Sequence, residues 1–175
     1  MVVSDLFNRS GYATDGDNRL LTSPNAECTM TLASGTGEGG SIFQIFDSDT
    51  TTLYYYYYSS AANSVDHTYT VTLDYFEKKT AKVLWVYFGA YNNGTHGPFC
   101  TVTLQVSVDG TNWTNLETVT ATNAGAGVST TTTKSYEGAS IGFRYIRFSN
   151  RAQNGAGSGT SIWRTLIYEV WATMT

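Results

Sequence analysis

The sequence predicts an all-β fold, an antiparallel β-sandwich of the jelly-roll kind, on three observations. Several segments alternate apolar and polar residues with period two, the pattern of a strand with one buried face. Residues 101–108, TVTLQVSV, do so strictly, with Val102, Leu104, Val106 and Val108 inward. Charged residues are 14% of the chain, against about 25% in an average domain. Threonine, glycine, asparagine and tyrosine take their place, and these are strand and loop residues. No window carries a helical 3.6-residue period.

In chain order, residues 1–25 are polar and irregular, with DGDN (15–18) and SPN (23–25) as turn signals. They read as an N-terminal arm or extra hairpin ahead of a single domain over 26–175. Residues 27–33, ECTMTLA, alternate with Cys28, Met30 and Leu32 on one face. GTGEGG (35–40) fits the GxGxxG pattern, but no helix follows to cradle a phosphate, so it reads as a flexible loop. Residues 68–73 (TYTVTL) alternate, and 81–88 (AKVLWVYF) are mostly apolar, as in a strand covered on both faces. Residues 116–121, 143–148 (FRYIRF) and 162–172 (IWRTLIYEVWA) read as strands, and the threonine run 129–133 as a low-complexity loop. In FRYIRF, period two sends Phe143, Tyr145 and Arg147 one way and Arg144, Ile146 and Phe148 the other.

Three stretches, in order and spacing, carry a resemblance: FDSDTTTLY (46–54), VSVDGTNWTNL (106–116), and FRYIRFSN (143–150) with IYEVWA (167–172). Together they resemble the discoidin domain, also called the coagulation-factor type C or galactose-binding-like domain, whose fold is shared by carbohydrate-binding modules. The resemblance spans about residues 26–172. It implies a two-sheet jelly roll and a non-enzymatic binding module, with ligands taken by loops at one end. In the DGTNW turn, Asp109–Gly110 is a turn pair in which glycine tolerates positive φ, and Trp113 folds back over the hairpin.

The same resemblance gives the acidic turn and the five tyrosines after it their meaning. In many family members this turn and a last-strand glutamate hold a structural calcium, an ion that takes oxygen ligands. Asp47, Asp49 and Thr52 match the turn positions, and Glu169 matches the glutamate. Ser48 stands where the family has glycine, so a turn closed by Asp and Thr hydrogen bonds alone is the alternative. Tyr54 stands where the family places a core tryptophan. Period two then puts Tyr54, Tyr56 and Tyr58 toward the core and Tyr55 and Tyr57 outward, where they meet a neighbouring subunit or a ligand.

The net charge of −4 and the lack of a Lys/Arg run give no footprint for nucleic acid. The longest apolar stretch, 81–91, is about half of a membrane span. The first ten residues show no export signal. Cys28 and Cys100 lack metal-site spacing and read as two free thiols unless the fold pairs them. Two histidines and no GxSxG context argue against an enzyme.

Two loops mix amides, cations and aromatics, the set that binds sugar hydroxyls and sugar C–H faces. One offers Tyr91, Asn92, Asn93 and His96, the other Arg151, Asn154, Trp163 and Arg164. They read either as a glycan site or as polar connections with Trp163 in the core. The expected function is therefore a non-enzymatic glycan-binding module, serving as a surface attachment component of a phage or virus particle. Its partners would be a glycan or cell-surface polysaccharide, copies of itself or other particle proteins. Its place would be the virion surface or the extracellular space. Alternatives are a purely structural virion protein with no sugar site, and a domain of a bacterial glycosidase.

Overall fold

The computed structural model describes residues 29–32, 37–40, 44–45, 49–60, 66–93, 99–122, 128–153 and 161–174. For some of these, including Tyr56, Tyr57, Tyr58 and Asn93, it describes the backbone alone. The N-terminal arm, Cys28, Asp47, His96 and Asn154 lie outside the described residues.

The described strands are β1 (Thr29–Leu32), β2 (Gly37–Gly39), β3 (Tyr54–Ser60), β4 (Asp66–Asn93), β5 (Phe99–Ser107), β6 (Thr114–Thr122), β7 (Val128–Gln153) and β8 (Ser161–Met174). Every pairing is antiparallel. The hydrogen-bonded order is β2-β3-β8-β4-β7-β5-β6, with β1 on β4. β4 and β7 are long enough to bend from one layer of a sandwich to the other. Residues 66–74 of β4 join β1, β5, β6 and the second half of β7. Residues 83–93 join β2, β3, β8 and the first half of β7.

The corner in β4 has a local cause. Its register with β7 breaks between Asp74 and Lys79, and Phe76 takes a φ of 64°, a left-handed conformation uncommon outside glycine. Asp74 holds it. Its Oδ1 accepts the Phe76 N–H at 2.8 Å, and both oxygens take Arg144, at 2.8 and 2.9 Å. Segments 68–73 and 81–88, expected as separate strands, are therefore two arms of one bent strand.

Four other expectations are corrected. The 129–133 run is not a loop: Ser129 to Thr132 pair with Tyr91 to Phe88, as suits β-branched threonine. Residues 37–39, Gly-Glu-Gly, form β2 at the sheet edge, because their backbone pairs with Tyr57 to Tyr55. Val108 is 47% exposed, since β5 ends at Ser107 and the turn begins there. Phe143 is buried with Ile146 and Phe148, because the register shift opposite the β4 corner breaks the alternation of FRYIRF at Arg144.

The core lies between the layers. From one come Tyr69, Val71, Leu73, Cys100, Val102, Leu104, Val119, Ile146 and Phe148. From the other come Tyr54, Leu84, Val86, Phe88, Ala90, Trp163 and Ile167. Phe88 and Phe148 meet across it with ring centroids 5.6 Å apart. Each such buried side chain stabilises the fold by roughly 1.5–3 kcal/mol.

Candidate functional site

Tyr54 is 1% exposed and Tyr55 half-buried on the other side, as period two requires. Continuing the register, Tyr57 lies opposite Arg164 on β8, and Arg164 lies opposite Tyr91 on β4. These positions alternate with the buried Trp163, Thr165 and Ala90, so they share the outer face of the layer. There Arg164 lies between two rings, its Cζ 4.7 Å from the Tyr55 centroid and 4.8 Å from that of Tyr91. Each contact is a cation–π geometry. The Tyr55 ring reaches over Gly39 of β2, where an added Cβ would stand 2.2 Å from it. Glycine there makes room for the ring.

The site is at the end of the sandwich where β3, β4, β6 and β7 finish and β4, β5, β7 and β8 start. The two loops read from sequence as one glycan site leave from this end, but their described residues do not converge. Tyr91 and Arg164 meet on one outer face. Arg151 is exposed on the outer face of the other layer, 5.6 Å from the Phe99 ring centroid. Trp163 and Asn92 are corrected outright: at 0% and 1% exposure they face the core, paired with each other in the β4–β8 register. A ligand at the surface meets neither.

A buried polar chain anchors the strand under Arg164. The Asn150 amide donates to the Thr165 hydroxyl at 3.2 Å, Thr165 donates to the Tyr69 hydroxyl at 3.4 Å, and Tyr69 donates to the Trp163 carbonyl at 3.4 Å. The Cys100 thiol donates to the Arg164 carbonyl at 3.8 Å and accepts from Asn150 at 3.2 Å. Cys100 is a free thiol, and burial pushes its pKa up to about 12. Sequence reading missed this network, because its members look like ordinary alternating strand residues.

Also missed were the rings beside the site. Trp85 stacks on Trp171 (5.6 Å, 14° between planes) and Tyr87 on Tyr168 (4.3 Å, 16°). All four are half-buried on the outer side of β4 and β8. Their clue was the alternation of large aromatics in LWVYF with the core residues.

The acidic turn stands at the opposite end. The Asp49 carboxylate accepts the Thr51 N–H at 2.8 Å and the Thr51 hydroxyl at 2.6 Å, and these bonds hold its pKa below the usual value. The Thr52 N–H and hydroxyl donate to the Asp49 carbonyl at 3.3 and 3.1 Å. Glu169 is 2% exposed on β8. β3 starts at Tyr54, paired with Ile167 of β8, so Thr52 precedes that pair by two residues on one segment and Glu169 follows it by two on the other. Asp49, Thr52 and Glu169 offer oxygen donors alone, the donor class that calcium takes. Among the described residues no group of three or more His, Cys, Asp or Glu is placed to hold a metal. Asp47 lies outside those residues.

The SVDGTNW turn is structural, as the sequence suggested. Gly110 has a φ of 77°, and the Trp113 indole N–H donates to its carbonyl at 3.2 Å. The Trp113 ring carries the Arg147 guanidinium at 3.6 Å.

A search of curated proteins finds no match. Among solved structures, the chain is similar to the family 32 carbohydrate-binding module from Clostridium perfringens NanJ in complex with galactose. The TM-score is 0.44 at 13% identity, over 85% of this chain and 95% of that one. It is also similar to a C. perfringens module in complex with GalNAc-β-1,3-galactose (0.41, 14%, 86% and 97%). A third is chitosan-binding module 1 from a Paenibacillus chitosanase/glucanase (0.42, 21%, 85% and 96%). The F5/8 type C domain model matches residues 29–164. Matched over most of its length, the chain belongs to the F5/8 type C domain family.

Proposed function

We propose that the chain is a non-enzymatic glycan-binding module whose site is built around Arg164, Tyr55 and Tyr91. The observation that carries this reading is the Arg164 guanidinium held between two tyrosine rings at the loop end of the sandwich. Arginine supplies up to five N–H donors for sugar oxygens. Tyrosine supplies an apolar ring face with a polar hydroxyl at its edge. The backbone of Tyr57 lies opposite Arg164 in register. Asn93 at the end of β4, with His96 and Asn154 beyond the ends of β4 and β7 in sequence, would complete the set. The site is open, so single contacts are weak, and several copies raise avidity through effective concentration. A glycan array probed with a multivalent form of the protein tests the reading. Binding that falls in Tyr91→Ala supports it, and an array with no binder counts against it.

A second reading has its own observation. The stacked pairs Trp85–Trp171 and Tyr87–Tyr168, with Tyr55, put five half-buried aromatic rings on one outer face. Rigid amphipathic rings of this kind suit protein interfaces. They support a subunit of a phage or virus particle, either an attachment protein that also binds glycan or a purely structural one. Light scattering over a concentration range tests self-association. A concentration-independent monomer that does not cosediment with particles argues against it.

A calcium ion held by Asp47, Asp49, Thr52 and Glu169 is part of the proposal. Bound there, it would tie the acidic turn to β8 by neutralising the carboxylates.

A further inference from the structure

We infer that the glycan read at Arg164 carries a carboxylate, as a uronic or sialic acid residue does. The inference rests on the glycan reading of the same site and goes further in naming the charge of the ligand. Its ground is the state of the Arg164 guanidinium. The described ion pairs are Arg144 with Asp74 and Lys134 with Glu117; none includes Arg164. Arg147 stacks on Trp113 as Arg164 stacks on tyrosines, yet Arg147 still donates its Nε–H to Gln105 at 2.8 Å. The Arg164 Nε is buried and has no hydrogen-bond partner among the described residues. A buried donor without an acceptor is costly. Here the cost is borne by a cation whose Cζ lies 4.7 and 4.8 Å from two ring centroids and whose strand is anchored by a polar network.

The Nε faces inward; the two Nη groups are not buried and make no hydrogen bond among the described residues, so they are the donors that an acceptor from outside meets. The planar guanidinium fork matches the two oxygens of a carboxylate in a bidentate pair, which is shorter and stronger than a bond to a neutral hydroxyl. The flanking tyrosines offer apolar contact to the sugar ring that bears the carboxylate. The chain's net charge of −4 gives no long-range attraction for an anion. Selectivity is therefore a contact effect that appears in dissociation rather than in association.

Calorimetric or NMR titration tests this on the intact protein in two arms. One compares a short oligogalacturonide with its fully methyl-esterified form. The other compares sialyllactose with lactose. The expected result is a preference for the acid of at least about tenfold in one arm, the scale of a charge-assisted hydrogen bond. The preference disappears in Arg164→Gln and is mostly lost in Arg164→Lys, which keeps the charge without the fork. The arm that responds identifies the acid. Equal affinity for acid and neutral partner in both arms overturns the inference and leaves the glycan reading standing, as does a preference that survives in Arg164→Gln. No binding to any of the four sugars, nor to any glycan on the array, removes both. Should Arg164→Gln fail to fold, the acid-against-neutral comparison in the unaltered protein decides alone.

Discussion

The Asn150 amide on β7 donates to the Thr165 hydroxyl on β8 at 3.2 Å, and both residues are wholly buried between the layers. The bond is one step of a chain that ends on the Trp163 carbonyl, next to Arg164. Thr165→Val keeps the shape and removes the relay. The Asn150 amide then loses one acceptor and the Tyr69 hydroxyl loses a donor. We expect a loss of about 1–3 kcal/mol, the cost of leaving buried polar groups unsatisfied. Thermal melting reads it at about 2–4 °C per kcal/mol for a chain this size. An unchanged melt would show that the network carries no stability.

Gly39 tests the positioning of Tyr55 without touching the ligand. A Cβ at this position would stand 2.2 Å from the far end of the Tyr55 ring, so Gly39→Ala moves the ring away from its place beside Arg164. Glycan affinity is expected to fall about two- to tenfold, the worth of one cation–π or aromatic contact. The melting temperature should drop only a little, because the ring can turn toward solvent. Unaltered affinity would take Tyr55 out of the site.

Cys100 should be inert in the folded protein. Burial raises its thiol pKa to about 12, and the thiolate is the reactive form. In a Cys28→Ser background at pH 8, an alkylating reagent is expected to leave Cys100 unmodified until denaturant is added. Mass spectrometry of the labelled peptide reads this. Rapid labelling in native buffer would contradict the buried position.

What the sequence disclosed and what it hid divide along physical lines. Period two placed Tyr54 inward and Tyr55 outward, and the alternation of TVTLQVS placed Val102, Leu104 and Val106 in the core. Both are local consequences of strand geometry. The β4 corner was hidden, because Asp74 makes Phe76 adopt a left-handed φ through bonds to that residue's N–H and to the distant Arg144. Trp163 joined the candidate sugar residues on composition. Register with Asn92 turned both inward. The pairing of Arg164 with Tyr55 and Tyr91 joins three strands far apart in sequence, and only the sheet order brings them together.

For calcium, the melting temperature is the measurement. Millimolar calcium is expected to raise it and excess chelator to lower it, since an ion that binds only the folded state stabilises that state by mass action. Glu169→Gln should abolish the response, because it removes a carboxylate from the proposed set. A melt indifferent to calcium and chelator rejects the ion. It would leave the turn closed by the Asp49, Thr51 and Thr52 hydrogen bonds.

Asp109 gives the fold a defined acid sensitivity. Its carboxylate accepts the Asn112 N–H at 2.7 Å, the Asn112 side-chain amide at 2.7 Å and the Thr111 N–H at 2.8 Å, and the Ser107 hydroxyl donates to it at 3.0 Å. These bonds, those from Asn112 foremost, hold its pKa well below the usual carboxylate range. A carboxylate with a depressed folded pKa contributes stability that is complete above its unfolded value, about 3.9. That contribution is lost as pH falls through the folded value. Asp109→Ala should therefore melt below the unaltered protein at pH 7, and the gap should close steadily as pH drops below about 4. The sign is fixed by the direction of the shift, because acid removes from the unaltered protein what the substitution has already removed. Melting curves of both proteins between pH 7 and 2 decide it. A gap that stays constant across that range would mean the turn is held by its glycine and by the Trp113 bond to the Gly110 carbonyl, with the carboxylate contributing nothing.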